Sequence, residues 1–318
     1  LRNQVSFMLS ACNFYMPIFE EALDAYGLPL ELRYLPIIES ALNPSAVSRA
    51  GASGLWQFMI GTGKIYGLES NSLVDERRDP IKATWAAARY LKEMYDIYGD
   101  WNLVIAAYNC GPGTINKAIR RANGETDYWK IYNYLPKETR GYVPAFIAAN
   151  YVMTYYCDHN ICPMETNIPA STDTVQVNKN LHFEQIADLC NVPLDQIKSL
   201  NPQYKKHMIP GDSKPYTLRL PIDAISTFID KQDTIYAHRA DELFRNRKTV
   251  AVKEITPSTR KTTAAVAGKG KLTYYTIKSG DTLSTIAGKY GVTIKDIQRW
   301  NGMSNTKIAA GKRLKIYK

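Results

Sequence analysis

Residues 34–63 read Tyr-Leu-Pro-Ile-Ile-Glu39-Ser-Ala-Leu-Asn-Pro-Ser-Ala-Val-Ser48-Arg-Ala-Gly-Ala-Ser-Gly-Leu-Trp-Gln57-Phe-Met-Ile-Gly-Thr-Gly. A single carboxylate, Glu39, lies behind an apolar run and ahead of a loop rich in glycine and serine. A carboxylic acid so placed is partly withdrawn from water. Its neutral form is favoured and its pKa rises, which is the condition for a general acid. The competing reading is a glutamate at a helix end, facing solvent. Two further stretches carry reactive side chains: Ala106-Ala-Tyr108-Asn109-Cys110-Gly111-Pro-Gly113 and Glu138-Thr-Arg-Gly-Tyr142-Val-Pro. Taken alone, Tyr108 reads as a core tyrosine, and Ser48 and Gln57 as loop residues. Cys110 reads as a small buried thiol, since no histidine stands near it in sequence to activate it.

The five cysteines form no Cys-x-x-Cys pair and the four histidines are scattered, so no metal site is expected. Cys157 and Cys162 are close enough in sequence to pair, which leaves Cys12, Cys110 and Cys190 over. The segment Asp75-Glu-Arg-Arg-Asp79 is a charged loop in which the arginines are expected to pair with the acids.

Helices must position these groups. Ile81, Trp85, Ala88, Leu91, Tyr95 and Tyr98 recur at helical spacing. Asp79 is the expected N-cap, Pro80 the first helical residue and Gly99 the stop. Asp100 then caps a second helix from Trp101 to about Asn109, ended by Gly111-Pro112-Gly113. A third runs from about Thr139 to Tyr156, and Pro144 either kinks it or marks its start.

The 318 residues, 45% apolar, suffice for about two domains of ordinary size. The net charge of +10 is uneven: Leu243–Lys318 holds 17 lysines and arginines against 3 acids. Such a tail suits an anionic partner, which charge alone leaves open among nucleic acid, anionic lipid and an acidic wall polymer. No apolar run reaches the roughly 18 residues of a membrane helix. The first residues do not read as a signal peptide, so export would need a signal ahead of Leu1.

The last 45 or so residues change rhythm. A strand at Thr273–Ile277, a turn at Ser279-Gly-Asp281, a helix to Tyr290, a second helix capped by Thr293 and a strand at Arg313–Ile316 make a β-α-α-β unit. A shift of 100 residues aligns it without gaps on an earlier copy. Ile186-Ala187 falls on Ile286-Ala287, Val192 on Val292, Ile197 on Ile297, Leu200 on Trp300 and Asn201 on Asn301. Between the copies, residues 223–247 form a candidate helix, and 248–270 read as a flexible basic linker.

The three stretches around Glu39, Tyr108 and Tyr142 resemble the Glu-Ser and Gly-Leu-x-Gln, Ala-Tyr-Asn-Ala-Gly and third segments of the lytic transglycosylases that cut bacterial peptidoglycan. Cys110 stands where that family usually has alanine. Trp56-Gln-Phe-Met59, Asp75–Pro80 and Gly99-Asp-Trp101 resemble one membrane-bound subgroup. The terminal unit, with Gly280-Asp281-Thr282-Leu283 and Asn301, resembles a LysM domain. In the earlier copy Asn180-Leu181-His182-Phe183 replaces that turn, and Leu181 cannot supply the capping oxygen of Asp281. That copy reads as a degenerate LysM-like module whose glycan binding is doubtful and which serves as a spacer or packs on the catalytic domain.

The resemblance implies an α+β multidomain chain. A mainly α-helical, lysozyme-like catalytic domain spans 1–165. A degenerate LysM-like module at 174–222, a linker with a candidate helix at 223–270 and a LysM domain at 271–318 follow. It implies a carbon–oxygen lyase that cleaves the MurNAc–GlcNAc β-1,4 bond of peptidoglycan and leaves 1,6-anhydroMurNAc ends. Glu39 is then the catalytic acid and base, and Ser48, Gln57, Tyr108, Asn109 and Tyr142 hold the glycan, Tyr108 with its hydroxyl aimed at glycan or acid. Gly280, Asp281, Thr282, Leu283 and Ile308 wall the LysM groove. No cofactor or metal is implied. The expected partner is the peptidoglycan strand, not nucleic acid, and the expected place is the cell envelope after export. The expected state is a monomer, with any membrane association through a lipid anchor ahead of Leu1. Glycoside cleavage ordinarily uses two carboxylates, yet no second acid stands at a cleft motif. The rival readings are a muramidase of goose-type lysozyme character and a non-catalytic wall-binding protein.

Overall fold

Helix α1 (Arg2–Ala25) opens the chain and buries Leu9, Tyr15, Phe19, Ala22 and Leu23. A 3-10 turn at Leu30–Tyr34 leads into the short α2 (Leu35–Ser40). After a long loop come α3 (Ile60–Ile65), a 3-10 turn at Glu76–Arg78 and α4 (Pro80–Tyr98). α5 (Trp101–Cys110), α6 (Pro112–Arg121), α7 (Tyr128–Ile131), a 3-10 turn at Tyr132–Tyr134 and α8 (Lys137–Thr154) complete the helical part. The computed structural model describes residues 2–165, 169, 171–244, 272–278, 281–301, 303, 308 and 311–317. The expected linker at 248–270 and Gly280 lie outside them.

Local chemistry sets the ends of the central helices. The Asp79 carboxylate accepts from the amides of Ile81 and Lys82, both at 3.0 Å, and Pro80 occupies the first helical position. Gly99 ends α4 at φ 62°, and Asp100 caps α5 by accepting from Leu103 N at 2.8 Å. The buried face of α4 is rotated from the expected stripe. Ala83, Ala86, Ala87, Ala88, Leu91 and Met94 are buried, while Trp85 is exposed and meets Tyr26 edge-on at 6.1 Å. Small residues let α4 approach α5, whose Ala106 and Ala107 are fully buried in the same core. Bulk alone would have put tryptophan inside.

Pro144 neither starts nor breaks α8, which runs through it from Lys137. Proline lacks the amide that would bond to the carbonyl four residues earlier. Here that carbonyl, of Arg140, accepts instead from the Tyr128 hydroxyl at 2.9 Å. The freed acceptor is satisfied and α7 is tied to α8.

The next stretch is built as β1 (Thr172–Val177), β2 (Asn180–His182), α9 (Phe183–Cys190), α10 (Leu194–Leu200), β3 (Met208–Pro210) and β4 (Tyr216–Pro221). β1 pairs antiparallel with β4, Val175 facing Leu218, and β2 pairs antiparallel with β3. Helices α11 (Ile222–Asp230), α12 (Gln232–Ala237) and α13 (Ala240–Leu243) follow. They do not begin a linker. Ala224, Phe228 and Ile235 are buried in one cluster with Val177, Leu181, Phe183, Ile197 and Leu218.

Leu1–Thr256 forms one compact unit and Pro257–Lys318 another. In the second, β5 (Leu272–Thr276) pairs antiparallel with β6 (Arg313–Tyr317) beside α14 (Leu283–Tyr290) and α15 (Ile294–Asn301). Tyr275, Leu283, Ile286, Ile297, Leu314 and Ile316 fill its core. The 100-residue repeat appears in the bonding as well as the pattern. Asn201 donates to Ile197 O (2.9 Å) and Arg219 O (2.8 Å) and accepts from Arg219 N (2.8 Å). Asn301 does the same with Ile297 O (2.8 Å), Lys315 O (2.9 Å) and Lys315 N (2.7 Å). In each copy one amide side chain clips the second helix to the last strand.

Among the described residues no helix is long and apolar enough to cross a membrane. All five cysteines are free thiols, and Cys157 and Cys162 are exposed.

Candidate active site

Glu39 is the penultimate residue of α2, whose Leu35, Pro36, Ile37 and Ser40 are buried. The helix stops abruptly because Ala41 (φ 50°) and Leu42 (φ 59°) both take the left-handed conformation. Residues with a Cβ adopt it only where the surroundings compensate. Here Leu42 becomes buried, and the Ser40 hydroxyl bonds to Leu55 O at 2.9 Å. The helix end is thus sewn to the loop that carries Ser48 and Gln57, and Glu39 beside it is half-buried.

Burial pushes the Glu39 carboxyl up to about 7. The Tyr142 hydroxyl, which donates to Glu39 Oε1, opposes that rise, and the nearby charge of Glu138 adds to it. Tyr142 and Tyr108 are held well above the ordinary phenol range by burial, and then by the charge of Glu39, so both stay protonated. The Tyr108 hydroxyl does not reach the acid as a hydrogen-bond donor. It donates to Trp56 O at 2.7 Å and pins the loop. Trp56 is fully buried and its Nε1 donates to Thr84 Oγ1 at 2.9 Å.

The structure therefore brings Glu39, Tyr108 and Tyr142 to one place from α2, α5 and α8. Asn109 accepts from the Thr139 hydroxyl at 2.8 Å, which ties α5 to the first turn of α8 and so sets the position of Tyr142. Ser48 is exposed, and its hydroxyl accepts from Ala52 N at 3.0 Å. Gln57 sits at φ 48°, and its Nε2 donates to Gly54 O (2.8 Å) and Ala46 O (3.2 Å). Both side chains brace their own loop. Cys110 is half-buried rather than buried, and burial raises its thiol, which keeps it protonated and unreactive.

The charged segment at 75–79 does more than pair with itself. Buried Arg77 grips Asp75 through Nε and Nη2, both at 2.8 Å, and its Nη1 donates to Gly51 O and Phe58 O, both at 2.9 Å. Arg78 Nε donates to Ser53 Oγ at 3.1 Å. Sequence reasoning saw the ion pair but not the two carbonyls, because nothing local says that a loop 20 residues upstream lies beneath Arg77. Gly54 records that approach: a Cβ there would lie 1.7 Å from Arg77 O.

In the terminal unit Asp281 caps the turn and not the helix. Its carboxylate accepts from Lys278 N and the Tyr275 hydroxyl, both at 2.8 Å. Thr282 caps α14, accepting from Thr285 N at 3.2 Å, as His182 caps α9 in the earlier copy. Leu283 is a core residue, 2% exposed, and Ile308 is half-buried. Gly280 lies outside the described residues.

Comparison with known proteins matches three family descriptions. Residues 16–131 match the transglycosylase SLT domain, 171–237 the LysM-like domain of lytic transglycosylase MltD, and 275–316 the LysM domain. The chain is 33% identical over 294 residues to membrane-bound lytic murein transglycosylase D of Escherichia coli (strain K12), covering 91% of this chain and 60% of that protein. It therefore spans about 60% of the length of that relative. It is 33% identical over 124 residues to the soluble lytic murein transglycosylase of the same strain, covering 37% of this chain and 19% of that protein. The crystal structure of the 70 kDa soluble lytic transglycosylase from Escherichia coli overlaps 45% of this chain and 24% of that one, at 29% identity and a TM-score of 0.39. By its motifs, the order of its matched domains and its sequence, the chain carries an SLT domain followed by a LysM-like and a LysM domain, and it is similar to membrane-bound lytic murein transglycosylase D.

Proposed function

We propose that this chain is a peptidoglycan lytic transglycosylase that breaks the β-1,4 bond between MurNAc and GlcNAc and leaves a 1,6-anhydroMurNAc end. The observation that carries the reading is Glu39: a half-buried carboxyl raised to about 7 and bonded to a tyrosine hydroxyl. A group with that pKa is available in both protonation states near neutrality, as a residue that must act first as acid and then as base requires.

The protonated Glu39 gives its proton to the glycosidic oxygen, and the GlcNAc side departs with it. The carboxylate then takes the proton of the MurNAc C6 hydroxyl as O6 bonds to C1. Glu39 ends protonated, as it began, and no water is consumed. The Tyr142 hydroxyl stabilises the carboxylate between the two steps. A nucleophile already in the substrate acts at high effective molarity, so no second carboxylate is needed to prepare one. Ser48, Gln57, Tyr108 and Asn109 shape the wall against which the sugars lie. The unit 257–318 holds the enzyme on the wall polymer through its LysM turn, which raises the effective concentration of strands at the cleft. The setting is the cell envelope.

The test is mass spectrometry of the soluble muropeptides released from purified sacculi. Products one water lighter than hydrolytic ones, absent with Glu39→Gln, are expected. Hydrated reducing ends would move the assignment to a muramidase. No release by either protein would leave a wall-binding role.

A further inference from the structure

We propose that the LysM-like module at 171–244 serves the active site as a buttress: it fixes the sugar-facing loop 48–58 through Asp75 and Arg77, which makes Arg77 a positioning residue. The proposal rests on the reading of that loop as part of the catalytic cleft.

Two sets of observations carry it. The first is that the module's counterparts of the expected groove walls pair with each other. The residues 100 positions ahead of Gly280–Thr282 and Ile308 are Asn180–His182 and Met208. In the module these two stretches pair with each other as β2 and β3, with Asn180 opposite Pro210, Leu181 opposite Ile209 and His182 opposite Met208. Phe183 N donates to His207 O at 2.9 Å to extend the closure. The chains approach so closely that a Cβ on Gly211 would lie 2.2 Å from Lys179 O. Leu181 and Phe183 are fully buried, and Gln185 is sealed beneath the helical tail, donating to Tyr236 O (3.1 Å) and His238 O (2.7 Å). Backbone pairing thus joins the two stretches that correspond in sequence to the expected groove walls of the terminal unit.

The second is that another face of the module is joined to the catalytic part by main-chain bonds. Val74 bridges Tyr204, Asp75 N donates to Gln203 O at 2.9 Å, and Lys205 N donates to Leu73 O at 2.8 Å. Leu73 and Val74 are buried in the module's core, not in that of the helices. Lys205 Nζ reaches Asn71 O (2.7 Å) and stands 3.7 Å from Asp75 Oδ2. Glu69 takes the Tyr216 hydroxyl at 3.1 Å and Lys214 Nζ at 2.7 Å. Asp75 is thus held from the module side, Arg77 is held by Asp75, and Gly51 O and Phe58 O are held by Arg77. A planar guanidinium with two donors on a carboxylate and a third nitrogen on two carbonyls is rigid in a way a flexible ammonium is not. Without it, Gly51 O and Phe58 O lose their side-chain donor, and the loop keeps its ties through Ser53, Leu55 and Trp56.

The experiment is hydrogen exchange on the full chain, read peptide by peptide, alongside muropeptide release, for Arg77→Lys, Lys205→Met and Glu39→Gln. Arg77→Lys keeps the charge and loses the fork. Lys205→Met touches only the module side and remains readable if Arg77→Lys does not fold. The expected result is at least tenfold faster exchange across 48–58 in Arg77→Lys and about threefold in Lys205→Met, with α4 and α5 unchanged. The KM for glycan should rise several-fold with kcat largely kept. Glu39→Gln should abolish release and leave exchange in the loop unaltered. Unchanged exchange at 48–58 in both brace variants overturns the proposal, as does equal acceleration of every peptide. If the wild-type chain releases no anhydro product, the transglycosylase reading fails, while the exchange result still decides the bracing.

Discussion

The Tyr142 hydroxyl donates to Glu39 Oε1 across 103 residues of sequence. It stabilises the charged form of a carboxyl that burial otherwise drives towards its neutral form. The two effects have opposite sign and burial wins, which leaves Glu39 at about 7. Removing either should move the acid in a direction that can be stated.

Under the proposed mechanism, release from sacculi should fall as pH rises through about 7, because that mechanism starts from the protonated form of Glu39. Tyr142→Phe removes the interaction that favours the carboxylate. The alkaline limb should therefore shift to higher pH while the maximal rate drops about tenfold, since the carboxylate between the steps loses its donor. A pH–rate profile of both proteins checks this. A limb that stays in place would mean that another group sets it.

Glu39→Gln should lower the rate by about 10³-fold, within the range for loss of a general acid. It should also change stability with pH. The folded pKa of Glu39 lies above its unfolded value of 4.5, so its favourable contribution is present below 4.5 and is lost as pH rises through about 7. The variant, which cannot ionise there, should gain on the wild type across that window by up to about 3 kcal/mol. Thermal melts at pH 4.5 and pH 8 measure the difference.

Gly54→Ala should be among the most damaging single changes in the helical unit. The site has φ 89°, and the new methyl would lie 1.7 Å from Arg77 O, a backbone atom that cannot swing away. A cost on the order of 3 kcal/mol or more is expected, since strained left-handed backbone adds to the clash. Soluble yield and urea midpoint report it. A variant as stable as wild type would show that the loop can move off Arg77.

Asn201→Ala and Asn301→Ala should fail in parallel, since each asparagine makes the same three bonds in its own copy. Asn201 is 1% exposed, so its removal leaves buried backbone groups unsatisfied and should cost about 2–3 kcal/mol. The loss at Asn201 should lower the melt of the 1–256 unit. The loss at Asn301, which is half-buried, should be smaller, and should weaken sacculus pull-down without changing that melt.

Much of the architecture is legible along the chain because its causes are local. Asp79, Pro80 and Gly99 mark α4 by hydrogen bonds and dihedrals spanning a few residues. The 100-residue repeat shows in sequence because both copies need the same apolar positions and the same asparagine. Glu39 stands out because its neighbours on either side already promise desolvation. The buried face of α4 was not legible, since alanines chosen for close approach carry no large apolar signal. The fate of Pro144 was not either, because the Tyr128 hydroxyl that satisfies its orphan carbonyl comes from another helix.

By itself, then, the sequence determined the helices, their caps, the repeated small fold and the acid, all through forces acting within a turn or two of the chain. Only the tertiary structure decided that Tyr142 bonds to Glu39, that Tyr108 holds Trp56 O in place of the acid, and that Arg77 reaches two carbonyls of the loop. It also decided that β2 pairs with β3 in the LysM-like module and that Asp75 N bonds to Gln203 O. The reason is that desolvation and hydrogen bonding at a buried group depend on whatever the fold brings alongside, and those partners lie tens to more than a hundred residues away.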